Sequence, residues 1–196
     1  LNEDILNIYN PSLTGLRECN VMVNNSQMLI KNWVWIDKKP DTPDKRKLQQ
    51  MHDVQFPKLQ SELAEMSKNW EENEQAALTQ ILTGINDTLF RYHKQIMSSL
   101  KTMSDYEDLF IAMETQEMVE EGGSVIEETY RLLEQIEALT EIISKKTEDA
   151  NKEMAASFAW FQNFVIYSVF IIVFIVIVVS VITARSIVVP VYNMVE

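Results

Sequence analysis

Residues 164–184 read FVIYSVFIIVFIVIVVSVITA, a run of twenty-one residues without a charge that stops at Arg185. As an α-helix with a rise of about 1.5 Å per residue, this run is roughly 31 Å long, enough to cross the hydrocarbon core of a bilayer. A buried core helix of that length normally carries a polar face, which argues against that alternative. The sequence therefore predicts a transmembrane helix over 164–184.

Charge indicates how the rest of the chain is disposed around this span. The 196 residues carry a net charge of -12, and only Arg185 and Glu196 are charged beyond the span, so the excess of acid lies in 1–163. Such a domain repels nucleic acid and anionic membrane surfaces, so neither is expected as a partner. Because arginine next to a span marks the cytoplasmic side, we expect 1–163 to be extracytoplasmic and the C-terminus cytoplasmic. Export of this domain predicts a further membrane helix before Leu1.

Four segments of the acidic domain repeat apolar residues at an average spacing of 3.5, the pattern of helices packed along one stripe. The segments have their first core positions at Ile5, Leu48, Leu78 and Val125. Their lengths and short connections predict an all-α fold, an antiparallel up-down four-helix bundle whose last helix continues into the transmembrane helix.

Local signals place the ends of these helices. Thr42 is a suitable N-cap before Pro43, a turn is expected near 68–73, and Pro57 should kink the second helix. Gly122-Gly123 breaks the chain before a capping box of Ser124 with Glu127.

Residues 104–121 do not fit a four-helix pattern. Ser104 with Glu107 forms another capping box, which predicts a short extra helix at the end of the bundle farthest from the membrane. The alternative is a fourth helix that is continuous from Ser104, and this would exceed its hairpin partner by about twenty residues.

No motif in the chain indicates catalysis or a cofactor. The sequence has no phosphate loop, no Cys/His zinc spacing and no serine elbow, so we expect no enzyme within these residues. His52 and His93 fall at similar heights in a hairpin of the second and third helices; we favour two surface histidines over a metal site. The single Cys19 excludes an intrachain disulfide, and a buried thiol is favoured over pairing with a second copy.

Two clusters are candidates for binding a ligand. The first is basic and combines Arg91, His93, Lys94 and Lys101 with Arg17 of the first helix; it suits a carboxylate ligand, although ordinary ion pairs explain the same residues. The second is aromatic and lies at the pole farthest from the membrane, where it either caps the core, which we favour, or holds a ligand. Its members are Trp33 and Trp35, with Asn32, from the first helix and Tyr106, Phe110 and Met113 from the extra helix.

The residues after the span, RSIVVPVYNM over 185–194, resemble the start of a HAMP signalling helix. Ile187, Pro190 and Met194 match the core positions and the proline of that family, so 185–196 is expected to be the start of a HAMP domain. With a four-helix extracytoplasmic domain, the chain resembles the sensory part of bacterial transmembrane receptors, namely chemoreceptors and sensor histidine kinases. The resemblance implies a homodimer in the bacterial inner membrane that senses a small molecule or a protein.

A receptor of this kind passes a change in helix packing through its last helix to the cytoplasm. The expected relay begins at a stutter in the apolar repeat near Ile143 and continues along a weakly polar seam. Its residues are Ile143, Thr147, Ala150, Ser157, Arg185, Ile187, Pro190 and Met194. The alternative function is a membrane-anchored tether or adaptor with no signalling output.

Overall fold

The computed structural model describes residues 8–185, which are mostly helical and contain no strand, so the all-α prediction is confirmed. The chain divides into two compact units, Leu1–Glu148 and Asp149–Glu196, and each is described separately. The HAMP-like positions Ile187, Pro190 and Met194 lie outside the described residues.

The described residues form α-helices that are joined in places by π-helical or 3-10 turns. The α-helices are α1 Asn10–Trp35, α2 Pro43–Gln50, α3 Phe56–Met66, α4 Glu72–Thr83, α5 Phe90–Ser99, α6 Met103–Glu107, α7 Leu109–Val119 and α8 Ser124–Thr183. A π-helical turn, Met51–Gln55, joins α2 to α3, and a second one, Gly84–Leu89, joins α4 to α5. The predicted second and third helices are therefore each an α–π–α rod.

The predicted ends of the second helix are confirmed. The Thr42 side chain accepts a hydrogen bond from the backbone N–H of Lys45 at 3.4 Å, and Pro43 opens α2. At the other end, a 3-10 turn over Ser67–Asn69 precedes α4, close to the turn expected near 68–73.

Pro57 changes the second helix through hydrogen bonding. Its ring has no N–H to donate, and it lies at the start of α3 directly after the π-helical turn. There the N–H of Phe56 bonds to the carbonyl of Met51, five residues earlier. The expected disruption thus takes the form of one extra residue in a turn, and the chain remains helical through it.

The start of α1 lies beside the end of α3, and the end of α1 lies beside the start of α2. The indole N–H of Trp70 donates to Ser12 Oγ at 3.1 Å, and the amide of Asn32 donates to Asp44 at 2.8 Å. Cys19, at the middle of α1, is buried in the core that these helices form, as favoured from the sequence. Burial, reinforced by the charge of Glu18, raises the pKa of its thiol to about 12.

The first part of α8 packs closely on α4. A Cβ added to Gly84 would lie 2.8 Å from Leu132 Cδ2, so the absence of a side chain at Gly84 lets the two helices approach. Leu132 is fully buried, as are Val125, Ile136 and Ile143 of the same helix.

Residues 104–121 form two helices where one was predicted. The capping box is made by Thr102 with Asp105 and not by Ser104 with Glu107, because the same Ser/Thr-x-x-acid pattern occurs two residues earlier. The chain then breaks at Asp108, whose carboxylate accepts the N–H groups of Phe110 and Ile111 and starts α7.

The turn between α7 and α8 depends on glycine. Gly122 has a φ of +82°, a conformation that other residues rarely adopt. The backbone N–H of Glu127 bonds to the carbonyl of Gly123 at 3.0 Å, and Ser124 is already the first helical residue. The predicted capping box of Ser124 with Glu127 is therefore wrong by one position, since Gly123 precedes the helix.

In the second unit, α8 contains the predicted span. It is the one helix among the described residues that is long and apolar enough to cross a membrane, by length and composition, and its apolar window is entirely unburied. The ring of Trp160 stacks on that of Phe164, with centroids 5.7 Å apart, near the start of this window.

Candidate functional site

Two buried histidines face each other between the second and third rods. Nε2 of His52, in the first π-helical turn, lies 3.1 Å from Nδ1 of His93 in α5. His52 is 7% exposed and His93 is fully buried. The prediction that both histidines lie at the same level along the hairpin is confirmed. The prediction that both lie on the surface is wrong.

Aromatic rings enclose this pair. The ring of Phe90 stacks on His52 at a centroid distance of 3.9 Å, and Phe56 meets Phe90 edge to face at 5.1 Å. His52 and His93 are themselves stacked at 5.3 Å. Among the described residues, Nε2 of His93 has no hydrogen-bond partner. The pair is therefore an incompletely satisfied polar group in apolar surroundings.

Burial keeps both imidazoles neutral. It lowers the pKa of His52 to about 4, with a further contribution from the positive charge of Lys94. It also lowers the pKa of His93 well below 6.5, with His52 adding to the effect. Within 8–185, no three His, Cys, Asp or Glu side chains are grouped so that they could hold a metal ion.

A buried lysine contacts two residues of the predicted aromatic cluster. Lys45 is only 2% exposed, and its ammonium lies 4.6 Å from the centre of the Trp33 ring and 5.2 Å from that of Tyr106. The ammonium donates to the Tyr106 hydroxyl at 3.0 Å, and this hydroxyl donates to the carbonyl of Trp33 at 2.8 Å. Burial lowers the pKa of Lys45, although Asp37 opposes this shift.

Lys45 was not among the residues singled out from the sequence, because charged residues early in an exposed helix are normally solvated. It connects two of the predicted aromatic residues, Trp33 and Tyr106. The other two do not join them in the interior, since Trp35 is 45% and Phe110 is 84% exposed. The Trp33 indole also donates to the carbonyl of Leu100 at 3.2 Å, which fixes α1 to the end of α5.

The predicted basic cluster is divided among four places. Lys94 and Trp33 line a groove of about 370 Å³, with Pro40, Gln49, Met97, Ser98, Leu100 and Lys101. Arg91 lies over the ring of its neighbour Tyr92 at 5.5 Å, while His93 is buried with His52. Arg17 belongs to a separate groove.

This second groove is larger, about 960 Å³, and lies between α1 and α8. Its lining residues are Arg17, Asn20, Val21, Glu137, Thr140, Glu141, Ser144, Lys145 and Glu148. The charges in it are of both signs, so it suits a ligand that carries both an anionic and a cationic group.

The residues expected to relay a signal are distributed along α8. Ile143 and Thr147 are buried in the first unit, where the Thr147 hydroxyl donates to the carbonyl of Ile143 at 2.8 Å. In the second unit, Ala150 is half-buried and Ser157 is exposed. Arg185, also exposed, is the last described residue.

No protein-family model matches the chain, and comparisons with curated proteins and with solved structures give no match.

Proposed function

We propose that this chain is the sensory and membrane-spanning part of a signalling receptor. The observation that carries the proposal is the continuity of α8. The same uninterrupted helix, Ser124–Thr183, supplies core residues from Val125 to Thr147 and contains the apolar run long enough for a bilayer. A change in how its first part packs has a direct covalent route into the span.

The proposed sensor is an antiparallel four-helix bundle. Three pairs of rods are consecutive along the chain. In each of them, a residue farther along one rod contacts a residue less far along the other, as antiparallel packing requires. The supporting pairs are Ser12 with Trp70, Asn32 with Asp44, Phe56 with Phe90, His52 with His93, Glu74 with Lys146 and Gly84 with Leu132. The side-chain amide of Gln95 in α5 donates to Glu114 at 3.3 Å, which supports a place for α7 beside α5 in this bundle.

A second copy of the chain is the proposed partner in the membrane. Val21, Met28 and Trp35 follow one another at intervals of seven on α1, and their exposed fractions are 56%, 48% and 45%. Apolar residues at this spacing form a seam on one side of a helix, and two identical seams can pack against each other in a homodimer.

The location and the output follow from the sequence pattern. Acidic residues before the span and Arg185 after it support an extracytoplasmic sensor and a cytoplasmic C-terminus in a bacterial inner membrane. The HAMP-like residues from Ile187 to Met194 support a signalling module beyond the span, of the kind found in chemoreceptors and sensor histidine kinases. The stimulus is a small molecule or a protein that alters the packing of α8.

The proposal is tested in cells that produce the full-length protein. A membrane-impermeant maleimide should modify cysteine at exposed Asn86, and should not modify cysteine at Glu196 until the membrane is permeabilised. Single cysteines from 150 to 161 should then crosslink two copies with a helical period. Equal labelling of both sites in intact cells, or no crosslink at any position, would contradict the receptor arrangement.

A further inference from the structure

The His52–His93 pair has a restricted capacity for protons. Each neutral imidazole carries one N–H, and only one hydrogen can lie between Nε2 of His52 and Nδ1 of His93 at 3.1 Å. In either tautomer, Nε2 of His93 is left without a partner among the residues described. A further proton therefore places a full positive charge in an apolar site that holds no acceptor for it.

The elements packed around the pair offer that charge no compensation. No carboxylate in 8–185 forms an ion pair with either ring. On their own rods the nearest charged groups are exposed Asp53, Arg91 and Lys94, and Lys94 disfavours a cation at His52. Along α1 no residue from Met22 to Ile30 has a titratable side chain. The acidic residues of α7 and of the first two turns of α8 form no hydrogen bond or ion pair with either imidazole; they are Glu114, Glu117, Glu127 and Glu128.

The backbone next to the pair is irregular on both rods. His52 lies within one π-helical turn, and the other ends at Leu89, immediately before the Phe90 that stacks on His52. A π-helical turn holds one residue more than a regular turn, so its conversion to α-helix rotates the following helix by about 100°. His52 thus lies within one of the two irregular turns, and Phe90, which stacks on it, directly follows the other.

The second of these π-helical turns also contacts α8, the helix that continues into the predicted span. The second π-helical turn begins at Gly84, whose Cα faces Leu132 of α8 with no room for a side chain between them. A contiguous set of contacts therefore runs from His52 through Phe90 and the π-helical turn to Leu132.

We infer that the His52–His93 pair is a proton-binding site, and that acidification of the surrounding medium charges it and repacks the π-helical turns against α8. The proton is then the stimulus of the proposed receptor, so this inference rests on the proposed function for its physiological meaning. The depressed pKa values of both histidines agree with it, because the pair is neutral at pH 7 and gains its charge only in acid.

The chain has two histidines in all, which makes the site directly observable. The 196-residue chain in lipid nanodiscs, labelled with ¹⁵N-histidine, should give two neutral imidazoles joined by one hydrogen bond at pH 5.5. In a free imidazole at that pH, the charged form is about ten times as abundant as the neutral form. If either ring titrates near 6.5 in the folded protein, the inference is wrong. This measurement uses the unaltered chain and does not depend on any variant folding.

The conformational step is tested with ¹⁵N-glycine labels and a matched pair of variants. Between pH 7.5 and 3.5, a range that includes the pKa of His52, the Gly84 resonance should shift in the wild type, and the shift should be lost in His52→Phe with His93→Leu. Thr129→Val, which alters another buried polar group, should keep the wild-type shift. A Gly84 shift that persists without the histidines would overturn the inference.

A failure of the receptor proposal can be distinguished from a failure of the proton-site inference. If Gly84 responds to pH through the histidines while crosslinking between cysteines at 150–161 does not, the proton site stands and the relay through α8 is wrong.

Discussion

The ammonium of Lys146 lies 2.5 Å from a carboxylate oxygen of Glu74, joining α8 to the start of α4. Glu74 is only 2% exposed, and its other oxygen accepts the backbone N–H of Glu71 at 3.1 Å. Burial alone would lower the pKa of Lys146, but its hydrogen bonds to Glu71 and Glu74 outweigh that effect and raise it. A buried carboxylate thus depends on a single lysine from the helix proposed to carry the signal.

Lys146→Met is expected to lower the free energy of unfolding by about 2–3 kcal/mol, because it leaves the Glu74 charge buried without compensation. Lys58→Met is the matched control, since Lys58 forms an exposed pair with Glu62 at 3.7 Å and its loss should cost under about 0.5 kcal/mol. Urea denaturation measures both. Equal effects of the two variants would show that burial of Glu74 is not what makes Lys146 important.

Tyr106→Phe is expected to cost about 1–3 kcal/mol of stability. The change removes the hydroxyl that accepts from Lys45 and donates to the carbonyl of Trp33, so a buried ammonium loses its acceptor. Tyr130→Phe, at a residue that is 58% exposed, should change stability by less than about 0.5 kcal/mol. The experiment is chemical denaturation followed by tryptophan fluorescence, and a neutral Tyr106→Phe would contradict the role of this hydroxyl.

Stability should fall between pH 7 and pH 5 because of the histidines. The pKa of His52 is about 4 in the folded state and about 6.5 in the unfolded chain. Between these values the unfolded chain binds more protons than the folded one, so the free energy of unfolding rises with pH. For His52 alone the loss from pH 7 to pH 5 is about 2 kcal/mol, and His93 acts in the same direction. Below about pH 4 this contribution is fully lost.

Carboxylates also titrate in acid, so the measurement compares variants. The pH dependence of unfolding in the wild type should exceed that of His52→Phe with His93→Leu by at least the amount expected for His52. Parallel curves for the two proteins would contradict the depressed pKa values.

The phase of α8 is expected to matter more than its length if the helix transmits a signal. Inserting two alanines after Ala156 rotates the following residues by about 200°, whereas inserting seven alanines there rotates them by only about 20°. The two-residue insertion should alter the output of the full-length receptor, and the seven-residue insertion should preserve its regulation. If both insertions have the same effect on output, α8 acts only as an anchor.

The ends of helices could be predicted where one residue type decides them. Thr42-Pro43 favours a helix start through a side-chain cap and a fixed φ, and Gly122 permits the positive φ of the turn, so the sequence alone located the start of α2 and the break before α8. The capping box at Ser104 was wrong because Thr102 offers the same pattern two residues earlier, and only the tertiary position of α6 selects between them.

The main features of the candidate site required three-dimensional information. A π-helical turn inserts one residue, which is hidden within an apolar repeat that already varies between three and four. The contact of His52 with His93 joins residues 41 apart, and their burial follows from the register of two rods. Lys45 is buried because Trp33 and Tyr106 enclose it, and nothing in its immediate sequence indicates this.

The burial of Cys19 has a practical consequence for labelling this protein. With a pKa of about 12, the thiol has roughly one part in 10⁵ as thiolate at pH 7, and the core covers it. Maleimides and crosslinkers applied to the native chain therefore find no reactive sulfur among the described residues. A cysteine introduced at a surface position becomes the one addressable site, so spectroscopic probes can be attached without first removing the natural residue.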